Sequence, residues 1–188
     1  MAVYNAGDGC CFTGRKILFD TNVYIFIDGY DGRPKSKTYS DYYFQVLKEK
    51  KNEVVINDYI LGEFFNRSCK DHHNICAAEE NQTIPYKQRR TTPEFIEFME
   101  TIRDSCLHFI KEAQFHAACD HQTNISGILE DSAKGRLDFS DIIIRNQCST
   151  SGIVLVTDDF DYIDCSIDVV TANERFLNEA ASRGTLTS

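Results

Sequence analysis

Two short apolar runs in this sequence each end in acids, and together they restrict the fold more than any other feature. Lys16-Ile-Leu-Phe-Asp20 carries three apolar residues directly into Asp20, with Thr21 and Asn22 behind it. Ile153-Val-Leu-Val156 runs in the same way into Thr157-Asp-Asp-Phe-Asp161. Uninterrupted apolar runs this short read as strands buried on both faces, the pattern of a parallel sheet covered by helices. Glu53-Val-Val-Ile56 and Val169-Val170 are further strand candidates. Helical patterns lie between them. One spans Asp41 to Lys50 behind a Ser40 cap, with Tyr43, Phe44 and Leu47 as its apolar face. Another is capped by Asn57 or Asp58 and buries Ile60, Leu61, Phe64 and Phe65. A third starts at Pro93 behind Thr92, a fourth is entered through Asp138, and Asn173 opens the last. Strands alternating with helices predict a three-layer α/β/α fold around a mostly parallel sheet.

A chain of 188 residues fits one domain able to bury about 70% of its unfolded surface. Residues 1–15 carry no periodicity and read as a flexible lead-in. Residues 16–182 read as the domain, with a helical extension over about 70–122, and 183–188 as a tail. Asp28 to Pro34 is rich in turn formers and reads as an exposed loop. The N-terminus has neither a basic region nor an apolar core of the secretory type, and no segment is apolar enough to span a membrane. A cytoplasmic protein without a membrane partner is therefore expected. Eight cysteines spread along the chain are too sparse for a disulfide scaffold, so reduced thiols are expected.

The acids carry the chemistry. Asp20 follows the first strong strand, and Asp158, Asp159 and Asp161 follow the last. Glu63 and the pair Asp138 and Asp141 sit near helix starts. Taken alone, Asp138 and Asp141 suit a capping arrangement in the first turn of a helix. Taken together, acids from four elements at one sheet edge would repel each other and raise each other's pKa. A hard cation resolves that conflict, and oxygen ligands without His or Cys point to Mg²⁺ or Mn²⁺, which usually shares its shell with water and phosphate. The net charge of −9 argues against general attraction to nucleic acid, although a metal or a local basic patch reverses the sign at one place.

Ile-Leu-Phe-Asp20-Thr-Asn22, Glu63 in the helix after the second strand, Phe-Ser-Asp141-Ile-Ile-Ile and Val-Leu-Val-Thr157-Asp-Asp159-Phe-Asp161 resemble the PIN-domain nucleases, in particular the VapC-like group. The resemblance covers about residues 16–69 and 135–180. It implies a PIN-like fold with Asp20, Glu63, Asp141 and Asp159 as catalytic and metal-binding acids. Asn22, Asp138, Thr157 and Asp161 would be auxiliary residues. It implies a Mg²⁺- or Mn²⁺-dependent endoribonuclease that cuts RNA to leave a 5′-phosphate and a 3′-hydroxyl. It also admits the role of toxin in a toxin–antitoxin pair, with an antitoxin protein and a homodimer as partners. The alternative is a weak or silent PIN-fold module that acts through protein or RNA contacts. Tyr86-Lys-Gln-Arg-Arg90 is the compact basic patch, so Lys87, Arg89 and Arg90 are the candidate substrate contacts, against a plain solvated loop.

Overall fold

The computed structural model describes residues 1–28, 34–80 and 84–187. Most of the turn expected over Asp28 to Pro34, residues 29–33, lies outside them. Seven strands form one parallel sheet: β1 (Val3–Asn5), β2 (Lys16–Phe19), β3 (Glu53–Ile56), β4 (Gln114–Phe115), β5 (Val154–Val156), β6 (Val169–Thr171) and β7 (Leu186–Thr187). Their spatial order is β4-β3-β2-β5-β6-β1-β7. The three apolar runs explain the centre: Ile17, Leu18, Phe19, Val55, Ile56, Val154, Leu155 and Val156 are buried with no accessible surface. Strands covered on both faces bury every side chain whichever way it points. The expected three-layer α/β/α architecture is present.

Eight α-helices lie among the described residues. They are α1 (Thr21–Ile27), α2 (Pro34–Phe44), α3 (Asp58–Glu80), α4 (Tyr86–Arg89), α5 (Pro93–Glu112), α6 (Ile125–Ser132), α7 (Phe139–Ser151) and α8 (Glu174–Ser182). The Thr92 hydroxyl accepts from the Phe95 N–H and Asn173 from Phe176, so both caps fall where the sequence puts them. Other expectations need correction. Helix α2 starts six residues before Ser40 and buries Tyr39, Tyr42 and Tyr43, with Val46 buried in the π-helical turn behind it; of the expected face, Tyr43 is buried and Leu47 partly so. Phe44 is exposed. The flexible lead-in contains β1, whose Val3 is fully buried between β6 and β7, and the tail contains β7. The polar stretch after Cys69 continues α3 to Glu80, and the extension is the long α3, α4 and α5. There α3 is held to α5 by His72, which stacks on Phe98 with ring centroids 3.8 Å apart.

The order of the strands places the chemistry. The chain leaves β2 toward β3 and β4 on one side, and leaves β5 toward β6 on the other. Neighbouring strands whose connections part in opposite directions open a crevice at their carboxyl ends, where α/β proteins bind ligands. In register, Phe19 lies beside Val156, and the Asp20 N–H donates to the Val156 carbonyl at 2.9 Å. Asp20 therefore stands at that crevice, level with Thr157.

Candidate acidic site at the carboxyl edge of the sheet

Asp20 is 4% exposed and closes the mouth of the crevice. As the N-cap of α1 it accepts the Thr21 N–H on Oδ1 at 2.7 Å. Its Oδ2 accepts from the Thr157 hydroxyl at 2.7 Å and from Asn22 Nδ2 at 2.6 Å. Thr157 Oγ1 in turn accepts the Asp159 N–H at 3.0 Å, and Asn22 Oδ1 accepts the Asp158 N–H at 2.9 Å. These bonds tie the end of β2 to the end of β5. Burial pushes the Asp20 carboxyl up from 3.8 to about 7. Its bonds to Thr157 and Thr21 act against that rise, and repulsion from Asp141 and Glu63 adds to it.

That repulsion marks two more acids as neighbours. Glu63, on the first turns of α3, accepts the Thr21 hydroxyl on Oε2 at 3.0 Å. Asp141, in the first turn of α7, accepts from the Tyr162 hydroxyl at 3.1 Å and from the Asp138 N–H at 3.4 Å. The Asp138 bond is one arm of a helix-capping arrangement, so the capping and clustering readings of this pair hold together. Burial raises the Asp141 carboxyl to about 6. The Tyr162 bond opposes the shift, and Asp159 and Asp138 reinforce it. Asp159 accepts the Asp161 N–H at 2.9 Å and caps a 3₁₀ turn over Phe160–Asp164. Asp20, Glu63, Asp141 and Asp159 thus come from four separate elements; Asp141 and Glu63 act on Asp20, and Asp159 acts on Asp141.

Asp158 faces elsewhere. It is held by Lys35 Nζ at 2.8 and 2.9 Å and by the Tyr39 hydroxyl at 2.8 Å. Asp161 and Asp138 stay at the rim. Three residues of the site were not singled out from the sequence. Thr21 bridges Asp20 to Glu63. Tyr162 holds Asp141, and burial together with Asp20 and Asp141 pushes its hydroxyl far up in pKa, so it stays a donor. Lys35 neutralises Asp158. Only Thr21, adjacent to Asp20, carried any sequence signal.

The basic patch does not join the acids. Arg89 is buried and forks onto Glu80 at 2.7 and 2.8 Å. Buried and paired with Glu80 through Nη1 and Nη2, it is poorly placed to reach a substrate, although its Nε has no partner among the described residues. Glu80 lies at the far end of α3, about 25 Å from Glu63 at the helical rise per residue. Lys87 on α4 and Arg90 just past its end are exposed, and Arg90 lies over the Tyr86 ring, which packs on His73 and reaches Cys69, on the side of α3 turned away from Arg67.

The cluster suits a hard divalent cation in its chemistry. It offers oxygen donors only, and a cation would offset the burial and repulsion that hold Asp20 and Asp141 toward their protonated forms. Among the described residues no three His, Cys, Asp or Glu side chains are gathered into a ready coordination set. Asp20 and Asp141 are instead engaged by Thr157, Asn22 and Tyr162.

Thr157 is the hinge pin of this arrangement. Thr157→Val keeps the shape but takes away the acceptor of the Asp159 N–H and leaves Asp20 Oδ2 with Asn22 as its one remaining donor. The expected loss is about 1–3 kcal/mol of unfolding free energy, read as a lower urea midpoint with an unchanged slope. A loss below about 0.5 kcal/mol, the range of surface substitutions, would show that the hydroxyl does not hold the two strand ends.

No family model and no curated protein matches the sequence. Solved structures do match in fold. VapBC2 from Rickettsia felis, determined bound to a DNA fragment from its promoter, superposes with a TM-score of 0.52 at 11% identity, covering 83% of this chain and 98% of that one. PAE2754 from Pyrobaculum aerophilum has a TM-score of 0.45 at 13% identity, covering 93% and 98%. The class defined by the sheet order and the VapBC2 likeness is the PIN-like α/β/α fold.

Proposed function

We propose that the chain is a Mg²⁺- or Mn²⁺-dependent endoribonuclease that hydrolyses phosphodiester bonds of RNA. The observation that carries the reading is Asp20: a buried carboxyl at the switch point of the sheet, pressed toward protonation beside Asp141 and Glu63. Structural carboxylates are seldom kept in such company without a cation. Asp20, Asp141 and Asp159 are assigned as the residues that would hold the metal, with Glu63 joining them or positioning water. A bound divalent ion would polarise the phosphoryl oxygen and make water a stronger nucleophile.

The chain's own part is orientation. Thr157 and Asn22 fix the rotamer of Asp20, Tyr162 fixes Asp141, and Thr21 aims Glu63 toward the same crevice. Asp138 and Asp161 flank this group at the rim and would steady water or a second ion. A toxin role with an antitoxin partner is part of the proposal and draws support from the VapBC2 likeness. A homodimer is an expectation of the same kind. Among the described residues no helix is long and apolar enough to cross a membrane.

The test incubates the purified chain with a panel of single-stranded RNAs in Mn²⁺ or Mg²⁺, with and without EDTA. Cleavage that stops in EDTA and returns with excess Mn²⁺ is expected, with 5′-phosphate ends on the products. Cleavage that persists in EDTA would sink the metal–acid reading. No cleavage across the panel would favour the silent binding module.

A further inference from the structure

A protein with net charge −9 normally spends its arginines on carboxylates. Arg15, Arg89, Arg103, Arg145 and Arg183 each have an acidic partner. Among the described residues, Arg67, Arg90, Arg136 and Arg175 have none. Three of these four line two cavities that share Phe160 and Asp161 next to Asp159, and the fourth, Arg90, lies over Tyr86 near Cys69, on the other side of α3 from Arg67.

Their placement is specific. Arg67 is one helical turn beyond Glu63 on α3, hence on the same face. It shares the wall of a cavity of about 420 Å³ with Asn22, Asp159, Asn173 and Arg175. Asp71 also borders this cavity without an ion pair to either arginine. Arg175, in the first turn of α8, lays its guanidinium on the Phe160 ring at 3.7 Å. Stacking engages the flat face of a guanidinium and leaves its N–H edges free, the edges that grip phosphate in pairs. Arg136 stands two residues before Asp138 in the wall of a second cavity, of about 330 Å³. Phe160 and Asp161 belong to both walls, so the two cavities adjoin over the turn that carries Asp159.

We propose that Arg67, Arg136 and Arg175 form a phosphate-binding rim that lays a single strand of RNA across Phe160, from the Arg67–Arg175 cavity to the Arg136 cavity, over the acids. The identity of the ligand rests on the nuclease reading above. The rim resolves the conflict between an acidic chain and an acidic ligand, because among the described residues these arginines without an ion pair line both cavities that adjoin at Phe160 and Asp161. It also replaces the α4 patch as the substrate contact.

The experiment measures binding of a fluorescein-labelled ten-nucleotide RNA by anisotropy, once in EDTA and once in Ca²⁺, over a series of salt concentrations. Wild type is compared with Arg67→Gln, Arg136→Gln, Arg175→Gln and, as control, Arg90→Gln. All four arginines are exposed, and thermal melts verify that the variants fold. Each rim substitution is expected to weaken binding about tenfold, the worth of one charge-assisted contact, and to lower the log–log salt slope by about 0.7. Arg90→Gln should stay within about twofold. A DNA strand of the same length should lose affinity by the same factors, since the rim reads phosphate. Rim variants that bind like wild type, a control that loses as much as they do, or a wild type that binds in neither buffer would overturn the proposal. If the rim variants lose binding but wild type never cleaves, the rim stands and the nuclease reading fails. If wild type cleaves and the rim variants cleave with unchanged KM, only the rim fails.

Discussion

Asp20→Asn is expected to lower RNA cleavage by on the order of 10²–10³-fold, the usual effect of removing one preorganised electrostatic group from an active site. The same substitution should change how stability depends on pH, a property that needs no substrate. In the folded chain the Asp20 carboxyl sits at about 7 against an ordinary 3.8. Between those values the native state holds a proton that the unfolded chain has released. Stability is therefore lost as pH rises through this window and levels off above about 7. The shift corresponds to about 4 kcal/mol for a group this buried. Asp141, raised to about 6, acts in the same direction. Glu80 and Asp131, lowered by Arg89 and by Lys134, act the other way, but at the solvated surface where such pairs count for little.

Measured in EDTA, the thermal midpoint of wild type should climb as pH is lowered from about 8 to about 5. Asn at position 20 cannot ionise, so the climb should shrink to what Asp141 supplies. The slope is the readout, because an Asn amide beside the Asn22 Nδ2 donor shifts the absolute midpoint at every pH. A divalent ion should raise the wild-type midpoint more at pH 8 than at pH 5, since the protonated acids bind it poorly. A wild-type midpoint that is flat or falls on acidification would show that Asp20 is not buried in this way.

The parts of this fold that the sequence reveals are those whose side chains obey a local rule. Ile17 to Phe19 and Val154 to Val156 are buried on both faces, so their apolar runs are continuous and unmistakable. Thr92 and Asn173 cap helices with their own side chains, and Asp138 takes the N-cap position of α7. The acids stand out because each follows such an element. What stays hidden is decided by distant partners. The outer part of α3, Asn66 to Glu80, is mostly polar, and its apolar positions are too sparse to set a period. Its helix rests on packing against α5 through His72 and Phe98. Two-residue strands such as Gln114–Phe115, with both side chains exposed, carry no alternation at all. Nothing in the sequence marks Arg67 and Arg175, since only the folded chain shows that neither has an ion pair among the described residues. Arg89 failed in the opposite sense, because its basic neighbours conceal a partner nine residues away.

The N-terminal strand gives the sharpest test of what local rules miss. Deletion of residues 1–7 behind a new initiator methionine is expected to lower the thermal midpoint by about 10–20 °C, since about 5 kcal/mol is at stake and each kcal/mol moves a chain this size by about 2–4 °C. Val3 is fully buried and Ala6 nearly so. Burying the Val side chain contributes about 2 kcal/mol. The strand bonds on both sides, including Val3 N–H to the Thr185 carbonyl at 2.9 Å and Val169 N–H to the Ala2 carbonyl at 3.0 Å, and such bonds add about 1 kcal/mol each. β7 meets the sheet only through β1, so it detaches as well. The apolar edge of β6, Val169 and Val170, then faces water, and an exposed edge of this kind invites aggregation. Val3→Ala is the milder companion, with an expected cost of about 1–2 kcal/mol and a chain that still folds. A truncated protein that melts within about 2 °C of wild type, less than about 1 kcal/mol at this chain length, would return residues 1–7 to the status of a lead-in and remove β1 from the sheet.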